Sequence, residues 1–170
     1  MNRPSEYQPA WGLLKRPLQQ MALFSELLED GYDLRLQVTG ASMSPFIKSG
    51  SYVTLFKIPV SKLRIGDIIF CCCDDGVFKL HRLIKISDNK LVTKGDALHA
   101  FDLPFDENDY KGKVIGIEQF RFCGMDFHNM DPGFVRWLNF LIAKYQQIKS
   151  HLIFTVIGLR SKLTKTPSLF

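Results

Sequence analysis

The chain has 170 residues, 46% of them hydrophobic and 23% charged, a balance that excludes extended disorder and low complexity and allows one core without disulfide staples. The net charge of +5 is unevenly placed: from Pro132 to Phe170 stand Arg136, Lys144, Lys149, Arg160, Lys162 and Lys165 with no acid, leaving 16 basic against 17 acidic residues in the first 131. The basic excess therefore belongs to the C-terminal segment, whose usual partners are anionic lipid or nucleic acid.

No run of apolar residues is long enough for a membrane-spanning helix. The opening MNRPSEYQPAWGLLKRPLQQ has an early Pro and Glu and no continuous apolar stretch, so it does not read as a secretory signal. The four cysteines are Cys71, Cys72, Cys73 and Cys123. Three in succession make neither a disulfide framework nor a metal-ligand spacing, and they read as small apolar residues on a buried strand. Free thiols favour a reducing compartment.

In chain order, residues 1–18 read as a loose leader. Pro17 to Asp30 predicts an amphipathic helix, with Met21, Leu23, Phe24, Leu27 and Leu28 at helical spacing and Gly31 as its C-cap. The period then changes. Leu34, Leu36 and Val38 alternate with Arg35 and Gln37, which predicts a half-buried strand over 33–38. Further strands are predicted over 51–58, 67–73, 77–86, 90–94 and 113–122. Turns fall between them at 48–50, 64–66, 74–76, 87–89 and 105–109. Asp75-Gly76 between two apolar runs predicts a hairpin. Short strands this closely spaced predict a mainly β fold, a small coiled sheet or partly open barrel, flanked by an N-terminal helix and a C-terminal helical arm. The expected division is 1–32 for leader and helix, 33–131 for the β domain and 132–170 for a basic amphipathic tail, with a break expected near Ser150. That tail either packs on the β body with its basic face solvated or lies in a membrane interface through residues 134–165.

The segment Thr39-Gly40-Ala41-Ser42-Met43-Ser44-Pro45 follows directly on a strand. Gly40 would permit a tight approach and unusual φ, and Pro45 would fix the exit. Such a turn presents the Ser42 hydroxyl and leaves nearby backbone N–H groups free, the two needs of acyl transfer. A serine nucleophile needs a base. Of His81, His99, His128 and His151, His81 sits in the middle of the apolar run 77–84. The imidazole in turn needs a carboxylate to hold its tautomer. Asp96 in Lys94-Gly95-Asp96 and Asp102 in Phe101-Asp102 are the two candidates.

The order of these motifs resembles the type I signal peptidase family: Gly-x-Ser-Met-x-Pro, then Gly66-Asp67 before an apolar strand, then His81-Arg82 in a strand, then Lys94-Gly95-Asp96 and Asp102. The likeness runs through residues 39–118. It is closest to the endoplasmic-reticulum-type branch, in which a histidine replaces the lysine base. The resemblance implies a coiled all-β sheet of the kind shared with SOS-repressor autoproteases. It also implies peptide-bond hydrolysis with Ser42 as nucleophile, His81 as general base and Asp102 ahead of Asp96 as its orienting acid. Gly40, Met43, Ser44 and Pro45 would form the substrate-binding and oxyanion region, with Ser44 or Thr39 as the added hydroxyl. The implied partner is an extended peptide or precursor protein with small residues before the cleaved bond.

The chain departs from that family in three ways. Residues 1–38 read as a helix and a strand where the family has a membrane anchor. The thiols at 71–73 suit a reducing compartment. The segment between His81 and Asp96 is short and holds no inserted lid domain. Together these predict a cytoplasmic or peripherally membrane-bound peptidase that needs no cofactor. Two rivals remain open: an inactive peptide-binding module of the same fold, and a nucleic-acid binder. The second is not expected, because no helix-turn-helix pattern or zinc spacing is present. Metal binding by His81, His99, Asp96 and Asp102 would suit the residue types but matches no ligand spacing.

Overall fold

The computed structural model describes residues 17–72, 77–118 and 133–163, with backbone alone at 17–21 and 156–163. A helix α1 (Pro17–Glu29) leads into β1 (Leu34–Gln37), β2 (Tyr52–Phe56), β3 (Ile68–Cys72), β4 (Phe78–Ser87), β5 (Lys90–Lys94), β6 (Phe105–Asp106) and β7 (Tyr110–Glu118). A long helix α2 (Gly133–Leu163) follows. The strands form one curled antiparallel sheet in the order β1-β2-β7-β3-β4-β5-β6. The mainly β expectation therefore holds, with a helix at each end of the described chain.

β3 sits in the middle of that order, and this explains its composition. Ile68 and Phe70 join one apolar cluster with Leu28, Met43, Ile47, Val53, Leu55 and Val114. Ile69 and Cys71 point the other way into a second cluster with Leu63, Leu83, Leu91, Phe105 and Tyr110. A strand covered on both faces needs continuous rather than alternating apolar residues, and Cys71 serves as one of them, fully buried and unbridged. β1 lies on the sheet edge and keeps the alternation read from its sequence.

α1 ends as its Gly31 cap predicts: the N–H groups of Gly31 and Tyr32 return to the carbonyls of Leu28 and Leu27. β3 and β4 pair antiparallel from Cys72↔Phe78 to Ile68↔Arg82, as the hairpin reading requires. The Asp75-Gly76 turn itself, Cys73, Cys123, His128 and the leader 1–16 lie outside the described residues.

Three local expectations are corrected. Residues 105–109 are more than a turn, because Phe105-Asp106 pairs with Leu91-Lys90 as β6 before one 3₁₀ turn. Helix α2 does not break near Ser150; that side chain is buried and donates to the His99 carbonyl at 2.9 Å. Gly40 neither adopts a left-handed φ nor lies against a neighbour, so the tight approach expected of it is absent.

The close approach is made by Gly66 instead. Its φ is +100°, and a Cβ there would lie 2.7 Å from the Asn139 backbone. Gly66-Asp67 is thus the seat on which α2 crosses the sheet. The carboxylate of Asp67 closes the turn by accepting the Arg64 N–H at 2.8 Å and holds Lys113 at 3.0 Å.

Candidate active site

His81 and Arg82 are consecutive on β4, so their side chains leave opposite faces of the sheet. Each finds its own carboxylate. His81 is 4% exposed, and its Nδ1 lies 2.6 Å from Asp102 Oδ2. The Thr93 hydroxyl donates to the same oxygen at 2.7 Å. The loop after β5 is folded to make this contact, with the Asp102 N–H returning to the Thr93 carbonyl at 2.9 Å. Burial alone would raise the Asp102 carboxyl; hydrogen bonds from His81 and Thr93, with a smaller contribution from the Lys79 charge, outweigh it and hold the group below its ordinary value.

An ionised Asp102 can only accept, so Nδ1 carries the proton. The other nitrogen, Nε2, is then the basic one and has no hydrogen bond to a described residue. This is the orientation a general base requires.

Asp96 does not serve His81. Both its oxygens bind Arg82, at 2.9 Å from Nε and 2.7 Å from Nη2. Arg82 is fully buried, and its Nη1 also donates to the Gly66 carbonyl and to Asn139 Oδ1. Phe46 covers the guanidinium with its ring centroid 4.8 Å away. The two acids six residues apart are therefore divided, one to each face of β4.

The serine segment reaches this region along the Arg82 face. Met43 and Ile47 are buried in the first apolar cluster, and Phe46 lies on Arg82. The Ser42 carbonyl accepts the Ala97 N–H at 2.8 Å. A Cβ on Gly95 would lie 2.7 Å from that same carbonyl. The last β4–β5 pair is Arg82↔Lys94, so Ser42 crosses the chain at Gly95, the first residue past the end of β5. Ser42 is half-buried, and no hydrogen bond joins its hydroxyl to His81. The structure thus brings Asp102 to His81 and brings the Ser42 backbone to the adjoining turn.

Around Ser42 the backbone is tightly wound. Ser44 donates its N–H to Ala41 and Ile47 donates to Met43, and the Ser44–Pro45 peptide is cis. No described residue takes the N–H of Ser42 or Met43. Of the oxyanion candidates read from the sequence, the backbone at 42 and 43 has donors to offer and that of Ser44 has already spent its own.

Sequence reasoning missed what α2 contributes. Asn139, Gln146, Gln147 and Ser150 turn inward onto polar groups that the sheet leaves unmatched. Gln146 donates to the Asp96 carbonyl at 2.8 Å and accepts from Lys94 Nζ. Gln147 donates to the Ile84 carbonyl at 2.8 Å, at the bulge where β4 loses register with β5. The spacing i, i+7, i+8, i+11 of these residues was the available signal. Lys94 is almost fully buried here, and burial first, then the charge of Lys149, lowers its pKa against a smaller opposing effect of Asp96.

Among the described residues no group of three His, Cys, Asp or Glu side chains is placed to hold a metal ion. His99 engages α2 through its carbonyl, and His151 is exposed on α2. No protein-family model matches the chain, and no curated protein matches it. The resemblance to signal peptidases therefore rests on the sequence motifs alone.

Proposed function

We propose that the chain is a serine endopeptidase of the signal-peptidase kind, acting on an extended segment of a precursor protein or peptide. The Ser42 oxygen attacks the scissile carbonyl carbon, and His81 Nε2 takes the hydroxyl proton. The tetrahedral oxyanion accepts hydrogen bonds from the N–H groups of Ser42 and Met43. His81 then gives its proton to the leaving amine as the C–N bond breaks. Water enters, loses a proton to His81 and releases the acyl group from Ser42, which regains its hydrogen. Asp102 keeps the imidazole in the required tautomer throughout. Asp96 has a different part, holding Arg82 and through it the seat of α2.

The observation that carries this reading is the Asp102–His81 contact, with Thr93 on the same oxygen and Nε2 left as acceptor. The acid fixes the ring with its proton on Nδ1, and Thr93 supports the acid, which is the arrangement a general base uses. The reaction further needs the Ser42 hydroxyl and Nε2 to meet, and the Ser42 backbone abuts Gly95 just past the end of β5. The test is cleavage of a peptide library with small residues before the bond, read by mass spectrometry. The parent is expected to cleave a subset, and Ser42→Ala and His81→Ala are each expected to abolish it. Equal cleavage by parent and both variants would overturn the assignment.

The missing Ser42–His81 hydrogen bond favours one second reading, a peptide-binding module that has kept the fold without the reaction. In that case peptides bind, nothing is cleaved, and a covalent serine probe leaves Ser42 unlabelled.

A further inference from the structure

α2 is amphipathic in the reverse of the usual sense. Its inward side carries Asn139, Ala143, Gln146 and Ser150, all buried against the sheet and the turn after β5. Its outward side carries Phe134, Trp137, Leu141, Tyr145, Ile148 and Leu152, exposed by 40–69%. At about 100° per residue these six fall within a sector of about 80°, directly away from the buried side. From 134 to 152 the stripe is about 27 Å long. Such a length of solvent-facing aromatic and aliphatic surface marks a contact site.

The charges beside the stripe indicate what meets it. Lys144 borders it on one side and Lys149 on the other. No acid occurs anywhere from 132 to 170. Two copies of this helix laid face to face would bring lysine rows together with nothing to neutralise them. An anionic bilayer surface satisfies both features: the stripe enters the headgroup–acyl boundary, and the flanking cations meet phosphates. Among the described residues no helix is long and apolar enough to cross a membrane, so the contact lies in the plane of the interface.

We infer that the outward face of α2 binds an anionic phospholipid surface while its polar inward face holds the β body. The inference stands apart from the peptidase reading, and its test involves no cleavage.

The full chain is mixed with vesicles of phosphatidylcholine alone or with added phosphatidylglycerol, and binding is read by flotation. Binding is expected to the anionic vesicles only and to weaken with salt. In a Trp11→Phe background, Trp137 emission should shift to the blue on binding. Tyr145→Glu with Ile148→Glu should weaken binding about tenfold or more, with the unfolding temperature unchanged. Lys144→Gln with Lys149→Gln should remove most of the preference for anionic lipid. Three outcomes would overturn the inference: no flotation with either vesicle, equal binding to both, or a concentration-dependent dimer that Tyr145→Glu dissociates in place of lipid binding.

Discussion

Asp102 Oδ2 receives two contacts at once, from His81 Nδ1 at 2.6 Å and from the Thr93 hydroxyl at 2.7 Å. The second donor favours the rotamer that keeps the acid on the imidazole. Asp102→Asn keeps the shape but offers an amide that donates to Nδ1 and moves the ring proton to Nε2. Cleavage by that variant is expected to fall by about 10⁴-fold with the fold retained. Thr93→Val removes only the second donor and should cost on the order of tenfold. Rate measurements alongside near-ultraviolet circular dichroism separate a lost reaction from a lost fold.

The same contact has a consequence for acid stability. Asp102 titrates below its ordinary 3.8 in the folded chain, so between the folded value and 3.8 the unfolded chain binds more protons. The stabilisation is complete above 3.8 and is lost as pH falls through the folded value. Urea unfolding of parent and Asp102→Asn should therefore differ most near neutral pH, and the gap should close in acid. A gap that widened on acidification would contradict the assignment.

Arg82 and Asp96 carry structural weight of another kind. The guanidinium is buried, and Asp96 is its sole described anionic partner. Asp96→Ala leaves a buried cation uncompensated and is expected to cost about 3–5 kcal/mol. Arg82→Met with Asp96→Leu together should cost less than Asp96→Ala alone, because no charge is then stranded. Denaturant unfolding of the two variants checks the order.

Much of the sheet was legible because its strands announce themselves locally. β5 runs from Lys90 to Lys94 as its sequence reads, and the apolar run of β3 reflects burial on both faces. The two acids were legible as candidates, but their division between His81 and Arg82 depends on the alternation of β4 and on the loop that folds Asp102 back to Thr93. β6 was hidden by its neighbours, since Asp106 to Asp109 reads as a polar turn. The direction of α2 was the largest loss. Periodicity locates an apolar stripe but does not say that it faces out; that follows from the carbonyls of Ile84, Asp96 and His99 and the cations of Arg82 and Lys94, which need polar partners away from water.

Gln146 tests that account of α2. It accepts from Lys94 and donates to the Asp96 carbonyl. Gln146→Leu makes the helix more amphipathic by ordinary standards, yet it strands both groups and should destabilise the chain by about 2–4 kcal/mol. An apolar residue on an apolar docking face would instead be neutral or stabilising, and thermal unfolding distinguishes the two.

Gly95 tests the seat of the serine. An added methyl would meet the Ser42 carbonyl at 2.7 Å and the Leu98 side chain at 2.9 Å. Leu98 can turn aside, but the carbonyl is backbone and is also tied to the Ala97 N–H. Relief therefore has to come from displacing residue 42 from the end of β5. Gly95→Ala is expected to lower stability by about 1–3 kcal/mol. If Ser42 is the nucleophile, it should also reduce cleavage beyond what the stability loss explains, because a nucleophile shifted by about 1 Å loses on the order of a hundredfold in rate. The His81–Asp102 contact lies on the other face and should survive, so the Asp102-linked acid profile of the variant should match that of the parent. A variant that is fully active and as stable as the parent would show that Ser42 is not held against this turn in solution.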